Sequence, residues 1–222
     1  MNKTQAIIKR TFDIIVSLVG IVVLFPLMLI CFAISTWDTK SLGIFMQKRV
    51  GLFGKTFTVI KIKTMRNIDG HITTVTSVND PRITTIGRLL RKYKLDELPQ
   101  LFNVLSGSMS FVGPRPDVPG FADELNEEDS IILTIRPGIT GLATLKLKNE
   151  ESILEQVKNQ EKFNREVLFP LKVAFNLKYL REYSFRKDID IILQTVCGST
   201  IFFKVETEID SANECVKLKE AF

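Results

Sequence analysis

Residues 14–34, IIVSLVGIVVLFPLMLICFAI, run for 21 residues without a charge. A helix of that length reaches across the ~30 Å hydrocarbon core of a bilayer. The run is too long for the apolar core of a secretory signal, and no small-residue cleavage site follows it, so it is expected to stay in the protein. Pro26, near its middle, removes a backbone donor and crowds the preceding turn, which predicts a kink there. Both flanks are basic, with Lys3, Lys9 and Arg10 before the run and Lys40, Lys48 and Arg49 after it. Positive residues favour the cytoplasmic side, so a re-entrant helix that enters and leaves by one leaflet satisfies both flanks. A single-pass helix with a tolerated proline is the alternative.

The whole chain has 222 residues, enough for one ordinary domain beside this membrane element. The expected organisation is a membrane helix over residues 1–38, a domain over 39–205 and a polar, frayed tail over 206–222. A formal charge of +5, with Lys and Arg frequent between residues 40 and 94, suits an anionic partner. Nucleic acid, phosphorylated small molecules and anionic lipid headgroups all qualify. Cys31, Cys197 and Cys215 are odd in number and lack metal-ligand spacing, so neither a disulfide framework nor a zinc site is supported. His71 is the only histidine and reads as a surface residue, which leaves no His-based triad or His-rich metal site. Any chemistry falls to carboxylates.

After the membrane run, IFMQKRVG and KTFTVIKIKTM alternate apolar and basic residues around Gly51 and Gly54, predicting a β-hairpin with one basic face. From Arg82 the period turns helical: Ile86, Leu89 and Leu90 lie on one side, and Arg88, Arg91, Lys92 and Lys94 on the other. A second helix is expected to start at LDELP, with Asp96 at its N-cap and Pro99 in its first turn. VGPRPDVPG, with three prolines and two glycines, reads as a shaped loop, and RPGITG as another turn. Helical sequence then fills residues 150–183, and Ile189, Ile192, Leu193 and Val196 give a last apolar stripe. The fold class is α+β, largely helical, with a short hairpin and amphipathic interfacial helices.

Asp96-Glu97 is the strongest candidate for chemistry. At a helix N-terminus beside Arg91, Lys92 and Lys94, both carboxylates are expected to stay ionised. An ionised Asp can attack phosphorus and an adjacent Glu can help to hold Mg²⁺. The plainer reading is a cap residue and its dipole-complementing neighbour. Arg115, clamped between Pro114 and Pro116, is suited to present a guanidinium to phosphate, or is a structural arginine of a surface loop. Lys61 and Lys63 alternate on one strand and either face the same anion or solvent.

In order along the chain stand KRTFDIIVSLVGIVVLFP, FMQKRVGLFGKTFTVIKIKTM, NDPRITTIGRLLRKYKLDELPQLFNVLSGSMSFVGPRP and RPGITGLA. Together they resemble the bacterial sugar transferase family, the monotopic phosphoglycosyl transferases that prime capsule, exopolysaccharide, O-antigen and N-glycan assembly. The resemblance covers roughly residues 9 to 197. It implies an α+β catalytic domain on the cytoplasmic face of a bacterial inner membrane, held there by a helix broken at Pro26. It also implies that Asp96 attacks the β-phosphate of a UDP-sugar, releases UMP and passes the phosphosugar to undecaprenyl phosphate. Asp96 and Glu97 would bind Mg²⁺, while Lys61, Arg91, Arg115 and Lys148 would contact phosphates. Lys148 stands where many members have arginine and keeps the charge without the bidentate fork. Asn176 replaces an aspartate of many members and is left outside the site. The implied partners are the sugar nucleotide, the polyprenyl phosphate and membrane lipid, with no nucleic acid; the sequence is compatible with a homo-oligomer without specifying one. The rival from another class is a membrane-anchored protein that binds nucleic acid or anionic lipid without catalysis, which gives no reason for the Asp-Glu pair.

Overall fold

The computed structural model describes residues 1–67, 80–198, 200–202, 209 and 211–220. His71 lies outside the described residues.

Helix α1 spans Lys3–Thr39 and starts from a reciprocal cap: the Asn2 side chain accepts from Gln5 N at 2.8 Å, and the Gln5 side chain accepts from Asn2 N at 2.9 Å. It ends where Lys40 turns into the left-handed region at φ 52°. Pro26 lies inside the helix without ending it. The helix expected to break there is continuous, because proline removes a single amide donor while the neighbouring intrahelical bonds persist. At 1.5 Å per residue α1 is about 55 Å long, well beyond one hydrocarbon thickness.

One stripe of α1 packs on the domain at helical spacing: Lys9, Asp13 and Ser17 near its start, and Met28, Cys31, Ser35 and Thr39 near its end. Between them Leu18, Val19, Val22, Val23 and Phe25 are exposed. The polar contacts sit at the two ends. Lys9 Nζ pairs with the buried Asp188 at 2.6 Å, Arg10 donates to the Val104 and Leu105 carbonyls, and Asp13 accepts from Ser110 Oγ and Phe111 N. At the far end Ser35 Oγ donates to the Lys63 carbonyl and Gly43 N donates to Thr36 Oγ1. One domain therefore holds both ends of the apolar helix.

The hairpin forms as expected. Strands β1 (Ile44–Val50) and β2 (Thr56–Ile62) pair antiparallel, with Phe45 opposite Lys61 and Gln47 opposite Val59. Helix α2 (Thr85–Lys92) is capped by Thr84 Oγ1 on Gly87 N and packs closely on the chain just after β2. A Cβ at Gly87 would collide with the Thr64 carbonyl oxygen, so glycine is needed at this close approach. Helix α3 spans Gln100–Ser106. RPGITG is more than a turn: β4 (Gly138–Thr140) pairs parallel with β3 (Ser110–Val112), carrying the loop between them over the hairpin.

The remaining helices are α4 (Leu142–Lys146), α5 (Glu150–Glu155), α6 (Gln160–Phe163), α7 (Phe169–Arg181), α8 (Phe185–Cys197) and α9 (Ala212–Glu220). Their core gathers Ala143, Leu147, Ile153, Leu168, Leu171 and Phe175. The tail expected to fray is ordered over α9, where Ala212 and Cys215 enter that core and Ile209 N donates to the Lys146 carbonyl at 3.0 Å. An apolar stripe of three residues, Ala212, Cys215 and Leu218, suffices because α7 already offers an apolar surface to cover.

Candidate active site

The dyad lies at the junction of α2 and α3. Lys94 adopts φ 55°, an uncommon conformation for a residue with a side chain, and reverses the chain after α2. A single 3₁₀ turn, Leu95–Glu97, follows, and α3 begins only at Gln100 with Pro99 as its cap residue. Asp96 is therefore not the N-cap of α3; the proline displaces the helix start beyond the dyad. Both carboxylates are buried, Asp96 to 8% and Glu97 to 9% exposure.

Three separate elements bring cations to this turn. Lys61 on β2 donates from Nζ to Glu97 Oε1 at 3.1 Å. Arg115, in the loop after β3, donates from Nη2 to the same oxygen at 2.6 Å and from Nη1 to the Ile139 carbonyl at 3.3 Å. Arg91, in the last turn of α2, lies close enough to favour the charged form of Asp96. The structure thus joins Lys61, Arg91 and Arg115 around the dyad. Lys63 goes elsewhere, donating to Ser41 Oγ at 2.8 Å. Lys148 is exposed just past the end of α4, and the charges that act most on Asp96 and Glu97 do not include it.

The two carboxyls are driven apart in proton affinity. Burial opposes ionisation of Glu97, but the Arg115 and Lys61 charges and the Arg115 hydrogen bond outweigh it and hold this carboxyl well below the usual carboxylate range. Burial and the adjacent Glu97 charge push Asp96 up, against the pull of Lys61, Arg91 and Arg115. Because the dyad is buried and precedes α3, burial and the neighbouring charges set these shifts in place of a helix dipole. Among the described residues none donates a hydrogen bond to the Asp96 carboxylate, whereas Glu97 is tied down from two sides. The arrangement gives one anchored carboxylate and one carboxylate available to react. Pairs whose environments separate their proton affinities are a mark of chemical sites.

Several site residues escaped the sequence reading. Arg49 on β1 is fixed by Gln47, whose Oε1 accepts from Nε at 3.0 Å and Nη2 at 2.7 Å, and it donates from Nη1 to the Pro116 carbonyl at 3.1 Å. Val50 N donates to the Asp117 carbonyl at 2.9 Å, so the end of β1 holds the loop that carries Arg115. The signal was the spacing of Gln47 and Arg49 by two, which puts them on the strand face shared with Lys61. Burial, with Arg115 nearby, pushes the Arg49 guanidinium down to about 10. Glu150 and Glu151 open α5; Glu150 accepts from Lys172 at 2.6 Å, and Glu151 pairs with Arg91. Asn176 is buried, its Oδ1 has no hydrogen-bond partner, and it lines one small cavity with Arg115 and Asp117.

A carboxylate pair is a hard-oxygen donor set of the kind Mg²⁺ prefers, and Glu97 Oε2 together with the Asp96 carboxylate remains for it once Oε1 has taken its two cationic donors. Among the described residues no group of three or more His, Cys, Asp or Glu gathers as a metal site. An ion held by this pair alone would need substrate phosphates to complete its shell.

The model of the bacterial sugar transferase family matches residues 4–201. The chain is 32% identical over 207 residues to the exopolysaccharide production protein ExoY of Sinorhizobium fredii, covering 85% of this chain and 83% of that protein. It is 35% identical over 203 residues to the UDP-glucose:undecaprenyl-phosphate glucose-1-phosphate transferase of Escherichia coli, covering 88% of this chain and 41% of that longer protein. Identity to the undecaprenyl-phosphate galactose phosphotransferase of Salmonella typhimurium is 32% over 210 residues, 87% of this chain and 40% of the relative. With the motifs, the dyad and its cations assembled in one place and the family model spanning most of the sequence, this chain belongs to the bacterial sugar transferase family.

Proposed function

We propose that this protein transfers a sugar phosphate from a UDP-sugar to undecaprenyl phosphate, releases UMP and thereby starts the assembly of a polysaccharide or glycan. The observation that carries the reading is the division of labour in the dyad: Glu97 Oε1 is pinned by Lys61 and Arg115, while the neighbouring Asp96 carboxylate is bound by none of the described donors. The relatives' names support the substrate classes, since they specify undecaprenyl phosphate with glucose, galactose or N-acetylgalactosamine donors.

In this reading an Asp96 oxygen attacks the β-phosphorus of the donor, the bond from that phosphorus to the bridging oxygen breaks, and UMP leaves with the electron pair. A phosphate oxygen of the polyprenyl acceptor then attacks the same phosphorus, and the Asp96 carboxylate departs as it began. Both steps gather negative charge on phosphate oxygens, which Lys61, Arg91 and Arg115 are positioned to offset. Mg²⁺, bound through Asp96 and Glu97, would supply a further positive charge to the donor's phosphates. Lys148, exposed beyond α4, is assigned a phosphate contact on resemblance alone.

The membrane reading follows from the two anchored ends of α1. Contacts at Lys9–Asp188 and at Ser35–Lys63 tie both ends to one domain, so we assign both to the same, cytoplasmic side of the inner membrane, with the exposed apolar middle in the lipid. The test is UMP release by the purified protein with undecaprenyl phosphate and a panel of UDP-sugars. One donor should support turnover; no UMP from any of them overturns the reading.

A further inference from the structure

Arg115 and Arg91 both face the dyad, yet their carboxylate partners differ in one decisive respect. Glu97, which holds Arg115, is 10% exposed in its side chain and is shared with Lys61. Glu151, which holds Arg91, is 41% exposed, and Arg91 is 26% exposed. Although Arg115 itself is 38% exposed, its buried carboxylate partner holds it because the charge left behind would be stripped of water, whereas the more exposed Glu151 can be left unpaired at little cost. Arg91 is therefore the arginine that can change partner.

Its surroundings favour such an exchange. Glu150, next to Glu151, accepts from Lys172 on α7 at 2.6 Å, which fixes the first turn of α5. Glu151 can then swing away by a change of rotamer while the helix stays where it is. Before substrate arrives, Asp96, Glu97 and Glu151 balance Lys61, Arg91 and Arg115 in formal charge. A pyrophosphate brings more negative charge than one carboxylate and offers the guanidinium a bidentate partner.

We propose that Glu151 is an electrostatic gate of the donor site: it occupies Arg91 in the empty enzyme and yields it to the donor's pyrophosphate. This rests on the functional reading above and adds a residue to it. Glu151 acts through Arg91 and is a positioning residue. Each binding event displaces the carboxylate, so Glu151 weakens donor binding and keeps Arg91 aimed across the site between turnovers.

The test is UDP binding to the full-length protein in lipid nanodiscs by calorimetry, using Glu151→Gln, Arg91→Gln and the double variant, with KM and kcat for the active UDP-sugar alongside. Glu151→Gln should bind UDP about two- to five-fold tighter, the range an exposed ion pair allows. KM should fall more than kcat changes, and Arg91→Gln alone should weaken binding. In the Arg91→Gln background the Glu151→Gln gain should vanish. Unchanged or weaker binding by Glu151→Gln, an equal gain in both backgrounds, or a loss of melting temperature and kcat with KM unmoved would each overturn the gate. If the wild type turns over a UDP-sugar and Glu151→Gln fails to tighten UDP, the gate alone is wrong. If the wild type releases UMP from no UDP-sugar, the functional reading falls and the gate falls with it.

Discussion

Replacing Glu97 with glutamine removes a negative charge from beside Asp96 and keeps the side chain's size. In the native site Glu97 Oε1 takes a 2.6 Å bond from Arg115 and a 3.1 Å bond from Lys61. Glutamine retains an acceptor oxygen but loses the charge, and a charge-assisted bond is about twice as strong as a neutral one. Removing one partner of a fully buried ion pair costs about 3–5 kcal/mol. Arg115 keeps 38% side-chain exposure and can turn to water, so a smaller loss of about 1–3 kcal/mol is expected. At about 2–4 °C per kcal/mol for a chain of this size, the melting temperature should drop by several degrees. Because Glu97 is held below its ordinary value of 4.5, the stability it contributes is present above that pH and is lost as pH falls through its folded value. The deficit of the variant should therefore shrink below about pH 4.5. Activity should move as well. Asp96 is raised above 3.8 by burial first and by the Glu97 charge second, so the reactive carboxylate is lost as pH falls through a point above 3.8. Glutamine abolishes the second cause and leaves Lys61 and Arg115 uncompensated, and both changes lower the affinity of Asp96 for a proton. The acidic limb of the rate should shift to lower pH even as the rate at neutral pH falls. The assay is the single-turnover burst of UMP without acceptor, which leaves the acceptor's own titration out of the profile. An acidic limb that stays in place or moves upward refutes the coupling between the two carboxylates.

Asp96→Asn should abolish the UMP burst, since an amide is no nucleophile toward phosphorus, and should raise the melting temperature, because burial and Glu97 disfavour the native charge. A burst of native size removes Asp96 from the chemistry. Excess EDTA should silence the wild type and added Mg²⁺ restore it; turnover that is indifferent to chelation rejects the metal assignment. A cysteine at Asn2, with the native cysteines replaced, should resist a membrane-impermeant thiol reagent in intact cells, because one domain holds both ends of α1. Labelling of that cysteine in intact cells would show that α1 crosses the bilayer.

What the sequence determined by itself is whatever depends on neighbours along the chain. Twenty-one uncharged residues make an apolar helix, alternation around Gly51 and Gly54 makes a hairpin, and Asp96-Glu97 is a covalent fact. Local pattern failed where a few residues were outweighed by their surroundings. Pro26 did not end α1, Pro99 moved the start of α3 past the dyad, and the stripe on α9 was too short to stand out in a polar tail. Tertiary structure alone chose the partners. Lys61 and Lys63 share a strand face, yet one meets Glu97 and the other Ser41, because only Lys61 lies over the 3₁₀ turn. Arg91 meets Glu151 from 60 residues away, and Glu97 is fixed by an arginine 18 residues on. Long charged side chains carry no periodic signal of their partners; packing brings the partners within reach, and burial then decides which pair is locked and which can exchange.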